Sequence, residues 1–556
     1  MERKAAELSI DFLENEKQYR LGFVEAEQSN PLTKTLGETF VKSTKDGIEM
    51  LLSVDRALYS PIKNALFSEE FSELYKDVLN ALKRGGRIII SGCGSTGRLA
   101  MRIEASWRAA ISALVKENPE LEKYSDSVIE VMTGGDFAVI RSVESFEDYA
   151  VLGAMQVREM CVSERDLLIG VTATGETTSI LGSAKEALSY GAHVWMVVCT
   201  DPESVTARLL RAKEVFCHKN TNSLYIKCGP FAVSGSSRMQ SSTSEQLIIS
   251  FVLELALSEL VSRDSYCDAK KEELMHGFSK CLELISEKEA VKSMTEAVDR
   301  ECDLYSRGGH VTYFADEYLL DVLTDTTERS PTFTTPPFRP QKNKDETLSW
   351  AFVKNPRLDT KAAWDACFAR TPRCIDKTDG EYIALGVREY DVKRIPKINL
   401  DAILEYEIGC ERDPEREGAA SQATWVDFSL DIPRELEDVL SHYETATTLT
   451  VTRGGKFPIA TRLKIFEHVA VKLMLNTVST GTMAKMGRVR GNYMVHLNIS
   501  NKKLIDRATR IISEIVGISY EEANYELFLS KLLLESQGDD RSTTIATIDR
   551  LTNKNG

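Results

Sequence analysis

Arg87–Ser91 (RIIIS) is a short β-branched run that stops at Gly92-Cys93-Gly94-Ser95-Thr96-Gly97-Arg98. Glycines at three of six positions, ahead of an apolar helical stretch, leave few continuations. The chain turns tightly off a strand and starts a helix whose first N–H groups point back at the strand end. The rhythm recurs. Ser127–Met132, Asp166–Val171 and His193–Cys199 read as strands, and Thr178–Tyr190 as a helix. Strands alternating with helices predict a parallel sheet with crossover helices. A long apolar helix, Ser244–Leu260, closes this lobe.

A second lobe is predicted from about Arg300. His310–Phe314, Tyr382–Leu385 and Thr447–Val451 read as strands, with a helix-like stretch to about Thr327. Ser330–Lys344 is rich in Pro and Thr and reads as a loop. Leu463–Val478 is an amphipathic helix. The first 80 or so residues read as helical. The tail from Leu504 reads as helical, then polar and frayed past Gln537. The two lobes share a pattern but not residues, which fits an internal duplication.

A chain of 556 residues suggests several domains. Its net charge of −15 excludes a broad nucleic-acid surface. An anionic ligand therefore needs a local cluster of donors. The start, MERKAAELSIDFLENEKQ, has no apolar signal core, and Leu247–Leu257, interrupted by Glu254, is too short for a membrane span. The 11 cysteines form no CxxC pair, which points to reduced thiols and a cytoplasmic location. The seven histidines show no HxxxH or HExxH spacing, so neither a metal nor a cofactor is expected.

Gly92–Gly97 fits GxGxxG, but a dinucleotide site also wants an acid at the end of the next strand. That strand ends Met132-Thr133-Gly134-Gly135, with Glu130 inside it. Gly94, Ser95 and Thr96 instead suit a phosphate or sugar-hydroxyl cradle. A second strand-to-helix loop offers Thr172, Thr174 and Thr177, with Ala173 and Gly175 between them. Two hydroxyl-rich loops at the carboxyl ends of parallel strands predict one crevice for an anionic, polyhydroxylated ligand. Glu144 and Glu147 form either an acidic surface turn or hydroxyl acceptors and a general base. Ser236 and Ser237 precede Arg238, which is either a phosphate partner or a structural ion pair.

The order GCGSTGRL, TGG with VESFED, GVTATGETTS and VSGSSRM resembles the N-acetylmuramic acid 6-phosphate etherase family, as do SNPLTKTLG and Leu473–Asn501. The first signature lies near residue 92 and the last near 475. That separation resembles two fused sugar-isomerase (SIS) domains, as in the glucokinase regulatory protein, which MLNTVSTG and TDTTERSPTF also resemble. The resemblance implies two SIS-type doubly wound parallel-sheet (flavodoxin-like) lobes, with a helical N-terminal segment and a small helical C-terminal domain. The expected boundaries are 1–75, 76–265, a linker at 266–299, 300–500 and 501–556.

The resemblance also implies a ligand: fructose 6-phosphate, fructose 1-phosphate or N-acetylmuramic acid 6-phosphate. Its site would use Ser95, Thr96, Glu147, Thr172–Thr174, Glu328 and Lys472. The etherases' general acid–base glutamate falls on Ser106. Glu104 lies about 200° away around the helix and does not replace it. Their second glutamate falls on Glu147, and their basic residue on Gln240. These losses favour a non-catalytic sensor that regulates a partner such as a sugar kinase. The alternative is an etherase-like lyase with Glu147 and Glu328 as catalytic residues. Lys472 sits among apolar neighbours, so it either snorkels to water or meets an anion, the sugar phosphate or Glu328.

Overall fold

The computed structural model describes residues 1–262, 266–428, 432–450, 457, 459–497, 499 and 501–552. Its core is two parallel sheets. The first comprises β1 (Ile88–Gly92), β2 (Val128–Met132), β3 (Leu167–Val171), β4 (His193–Val198) and β5 (Thr221–Tyr225), in the order β2-β1-β3-β4-β5. The second comprises β6 (His310–Phe314), β7 (Ala351–Lys354), β8 (Gly418–Asp427) and β9 (Tyr443–Thr450), in the order β7-β6-β8-β9. Every pairing in both sheets is parallel. In each sheet the order reverses beside the first strand, which makes both lobes doubly wound and opens a crevice at the strands' carboxyl ends.

β1, β2 and β3 are buried along their whole length, as expected for apolar runs covered by helices on both faces. The glycine loop follows from packing as well as from turning. At Gly97 a Cβ would collide with Met132 Sδ, and at Gly92 with the backbone of Thr96. Gly94 has open space around it but a φ of +57°, which glycine alone adopts freely. Strand and helix thus approach each other closely enough to aim the N-terminus of the Ser95–Val115 helix into the crevice.

The chain ends are helical and meet. Helix Glu2–Asn15 packs on Tyr520–Gln537, with Phe12 against Phe528 and Ser9 donating to Asn524 Oδ1 at 2.7 Å. The frayed tail expected past Gln537 is instead a helix, Thr543–Thr552, whose Ile545 and Ile548 pack with Ile511 and Leu527. Tyr382–Leu385 is not a strand. Thr378 and Glu381 form a capping box, and Asp379–Ala384 is helical. The expected loop at Ser330 begins later, because helix Leu319–Phe333 runs through Pro331. Buried Phe333 anchors that last turn, which tolerates the one backbone hydrogen bond that proline forgoes. Thr447–Thr450 is strand, and Val451 lies outside the described residues.

The lobes are tied by a buried ionic cluster. Arg370 and Arg373 follow helix Thr360–Phe368 of the second lobe and reach into the first. Arg370 bonds Glu104 (3.0 Å), Glu130 (2.7 Å) and Asp136, and Arg373 bonds Glu104 and Glu130. The three carboxylates are essentially inaccessible. Burial, then the neighbouring Asp136, pushes Glu130 up to about 8. Burial works against ionised Glu104, yet Arg370 and Arg373 hold it well below the usual range. Arg108 also pairs with Glu104 at 2.7 Å, so three guanidiniums face the three carboxylates. Removing one arginine leaves an uncompensated buried carboxylate. Arg370→Met should cost about 3–5 kcal/mol in urea unfolding, and the more exposed Arg373 less. A loss below about 1 kcal/mol for Arg370→Met would show that the cluster does not hold the lobes together.

Candidate functional site

A cavity of ≈ 260 Å³ lies at the carboxyl ends of β1 and β3. The first lobe supplies its floor. Cys93–Thr96 line one side, and Thr172, Ala173, Thr174 and Thr177 the other. Ser95 Oγ and Ser237 Oγ lie 2.7 Å apart across it. Thr96 Oγ1 accepts from Cys93 N (2.9 Å) and donates to the Cys93 carbonyl, so it braces the loop. Thr172 and Thr177 pair through their hydroxyls at 2.9 Å. Gly175 shapes the second loop with a φ of +71° and does not line the cavity.

Glu147 lines the cavity from the short helix Glu144–Glu147. The Glu144 side chain lies outside the described residues. From the second lobe, helix Leu319–Phe333 brings Glu328, Pro331 and Thr332 to the same space. Glu147 and Glu328, more than 180 positions apart in sequence, therefore face one cavity from opposite lobes.

Cations converge there. Arg238, just before helix Gln240–Ser262, is a structural ion pair with donors to spare. Its Nη2 pairs with Asp325 and donates to Ser479 Oγ at 2.6 Å, while Nε and Nη1 are buried with no hydrogen-bond partner among the described residues. Its Nε stands 3.9 Å from Glu328 Oε2. Arg98 donates to the Ala138 and Val139 carbonyls and also leaves Nε unbonded. Burial lowers the Arg98 pKa from its ordinary value, and Glu328 opposes the shift. Buried donors without acceptors are costly in an empty site and are satisfied by an anion.

Two lining residues escape sequence reasoning. Lys503 and Arg507 come from helix Lys502–Val516 and complete the wall. Lys503 Nζ lies 2.9 Å from Glu176 Oε1 and 3.5 Å from Glu147 Oε1. Burial opposes its charge, but Glu176 and Glu147 raise its pKa above the ordinary lysine value. Arg507 pairs with buried Glu27 of the N-terminal segment. A Cβ at Gly235 would strike Arg507 Nε, so the glycine in VSGSSRM is what admits this arginine. The one sequence signal is a pair of cations at i,i+4 on an amphipathic helix, which is ordinarily a solvated face.

Gln240 and Ser106 turn away from this cavity. Gln240 accepts from Ala232 N and donates to Asp55. Ser106 lines a separate cavity beside the second lobe. Glu104 belongs to the ionic cluster. Lys472 is half-buried and, among the described residues, forms no ion pair. Its ammonium donates to the Arg238 carbonyl (3.1 Å), Thr243 Oγ1 (2.7 Å) and Asn476 Oδ1 (3.4 Å), all neutral acceptors. It lines a narrow recess of ≈ 20 Å³ that also touches Ser95, Arg98 and Glu328.

Residues 70–188, which include the glycine loop and the second hydroxyl loop, match the family model of the glucokinase regulatory protein N-terminal SIS domain. That segment is similar to an SIS domain. N-acetylmuramic acid 6-phosphate etherase 1 of Bacillus licheniformis is 25% identical over 240 residues, 43% of this chain and 70% of its own length. The N-acetylmuramic acid 6-phosphate etherase of Aliivibrio fischeri (strain MJ11) is 31% identical over 209 residues, 37% of this chain and 62% of its own length, short of two thirds. Among solved structures, the Escherichia coli tagatose-6-phosphate ketose/aldose isomerase covers 84% of this chain and 97% of its own at 11% identity and a TM-score of 0.42, a likeness too slight to weigh here. No helix among the described residues is long and apolar enough to cross a membrane.

Burial, offset in part by Glu328 and Asp55, lowers Lys472 from 10.5 to about 8. Between these values the unfolded chain binds more protons than the folded protein, so folding gains stability as pH rises through the window. Below pH 8 the buried charge costs on the order of 3 kcal/mol. Lys472→Met should be more stable than wild type at pH 7.5, with the gap closing towards pH 10.5 in paired urea titrations. A pH-independent gap would contradict a buried, titrating ammonium.

Proposed function

We propose that the interlobe cavity binds a phosphorylated amino sugar and cleaves its lactyl ether, as an etherase-like lyase. The observation that carries this reading is the meeting of Glu147 and Glu328 beside the glycine loop. Eliminating a lactyl ether needs a base to take the proton from the carbon next to the ether-bearing carbon. It also needs an acid to protonate the departing lactate oxygen. Two carboxylates from opposite lobes, with unlike neighbours, suit those two roles. Glu147 lies beside Lys503, and Glu328 beside Arg238. The phosphate would sit at Ser95, Ser237 and the start of helix Ser95–Val115, near Arg98 and Arg238. The glutamate absent at Ser106 is no loss to this cavity, because Glu328 stands there instead.

A sensor that binds the sugar phosphate and regulates a partner such as a sugar kinase is the second reading. One observation favours it: residues 70–188 match the regulatory protein's domain. Sugar-phosphate binding is common to both readings.

Purified protein incubated with N-acetylmuramic acid 6-phosphate should release D-lactate, and Glu328→Gln should slow release about 10²–10⁴-fold. Ligand-induced thermal stabilisation without any lactate would leave the sensor reading standing and sink the lyase. Absence of stabilisation by this compound, fructose 6-phosphate and fructose 1-phosphate would sink both. Lys503→Met should weaken sugar-phosphate affinity by about 1.5–3 kcal/mol in calorimetric titration, the scale of a lost charge-assisted hydrogen bond.

A further inference from the structure

The second lobe has a cavity of its own, of ≈ 290 Å³, and its construction mirrors the first. β1 begins at Ile88 and β6 at His310, an interval of 222 positions. The same interval carries Ser106 to Glu328, Ala109 to Pro331 and Ala110 to Thr332. Glu328, Pro331 and Thr332 of the second lobe line the first lobe's cavity. Ser106, Ala109 and Ala110 of the first lobe line the second lobe's cavity. The floors correspond too, since Gly94 and Ser95 map onto Asp316 and Glu317 at the start of helix Leu319–Phe333. Each lobe thus roofs the other's strand ends, and the second cavity is the counterpart of the proposed sugar-phosphate site.

Its chemistry has changed. Where the first lobe offers a glycine and a hydroxyl to an anion, the second offers two carboxylates. Asp316 is paired with Arg357, and Glu317 with Lys464. A phosphate dianion at this helix start would meet like charge, so the ancestral cradle is closed to it. One cation in the cavity, Arg102, is ion-paired with Asp321 yet keeps unused donors. Arg102 is 11% exposed at its side chain, and its Nε is buried with no hydrogen-bond partner among the described residues. Its nearest carboxylate oxygen, Asp321 Oδ2, is 3.6 Å away and bonded to His468 Nδ1 at 2.8 Å. A guanidinium presents five donors in a fixed fork that fits a carboxylate. Around it the wall is apolar, with Ala109, Ala110, Leu319 and Leu320.

We infer that this second cavity is a binding site for a small organic monocarboxylate, its acid group on Arg102 and its apolar body along the alanine face of helix Ser95–Val115. The two cavities share no lining residue, although Arg102 also borders the recess beside Ser95, Arg98 and Glu328. Butyrate and benzoate serve as probes in calorimetric titration of the full chain, with butyramide, benzamide and inorganic phosphate as controls. The acids should bind saturably and the controls should not. Arg102→Met should weaken binding at least tenfold. Ala109→Phe, at an exposed position of the wall, should block it with an unchanged melting curve, which keeps the test valid if Arg102→Met fails to fold. Lys503→Met should bind the acids as wild type does. Amides binding as well as acids, displacement by phosphate, undiminished binding in Ala109→Phe, or no saturable binding would each overturn the inference.

Discussion

The arrangement depends on a chain of buried charges running through the lobe interface. Arg238 of the first lobe pairs with Asp325 of the second, Asp325 with Arg329, and Arg329 with Glu301. All four side chains are at most 3% exposed. Charges so deeply desolvated persist only when each has its partner, so neither lobe buries its share without the other. Asp325, Glu328 and Arg329 lie within about one turn of one helix. Fixing Asp325 and Arg329 therefore fixes which way Glu328 points. The buried pairs hold the Leu319–Phe333 helix in register, and Glu328 is delivered to the first lobe's crevice as a result.

That delivery is why two glutamates so far apart in sequence share a cavity. It also accounts for Ser106. Read along one lobe, serine at that position looks like a lost catalytic group. With the lobes assembled, each helix reaches the opposite lobe's cavity, so Ser106 lines the second cavity and Glu328 the first. A duplicated fold whose halves exchange one helical face can keep one site and rework the other. The carboxylates at 316 and 317 and the alanines at 109 and 110 fit that division of labour.

Much of the first lobe was legible in the sequence because its strands are buried on both faces. Ile88–Ile90 and Leu167–Ile169 are apolar runs that end at glycine, and the period and the stop signal agree. β8 was not legible. Its sequence, GAASQATWVD, is small and polar, and it is a strand because β6 and β9 flank it. Tyr382–Leu385 has strand-like residues but stands just after a capping box, and the cap decided. In the site, the loops Gly94–Thr96 and Thr172–Thr177 announce themselves through turn and hydroxyl chemistry. Lys503 and Arg507 do not, since only tertiary packing brings their helix to a glycine near residue 235. Lys472 shows a different limit. Apolar neighbours signal burial, but they say nothing about which acceptors await the ammonium, and here they are a carbonyl, a hydroxyl and an amide.

Arg507 rests on Gly235 and Glu27, so the wall of the first cavity joins the N-terminal segment, the end of the first lobe and a helix beyond residue 500. On the ribosome these parts appear in the order Glu27, Gly235, Arg507. The first lobe's sheet has all its strands by residue 225, yet its crevice stays open to solvent until some 280 further residues have been made. The pocket is therefore among the last features to form during synthesis. A chain cut short anywhere after the first lobe would display a well-formed glycine loop without the wall that faces it.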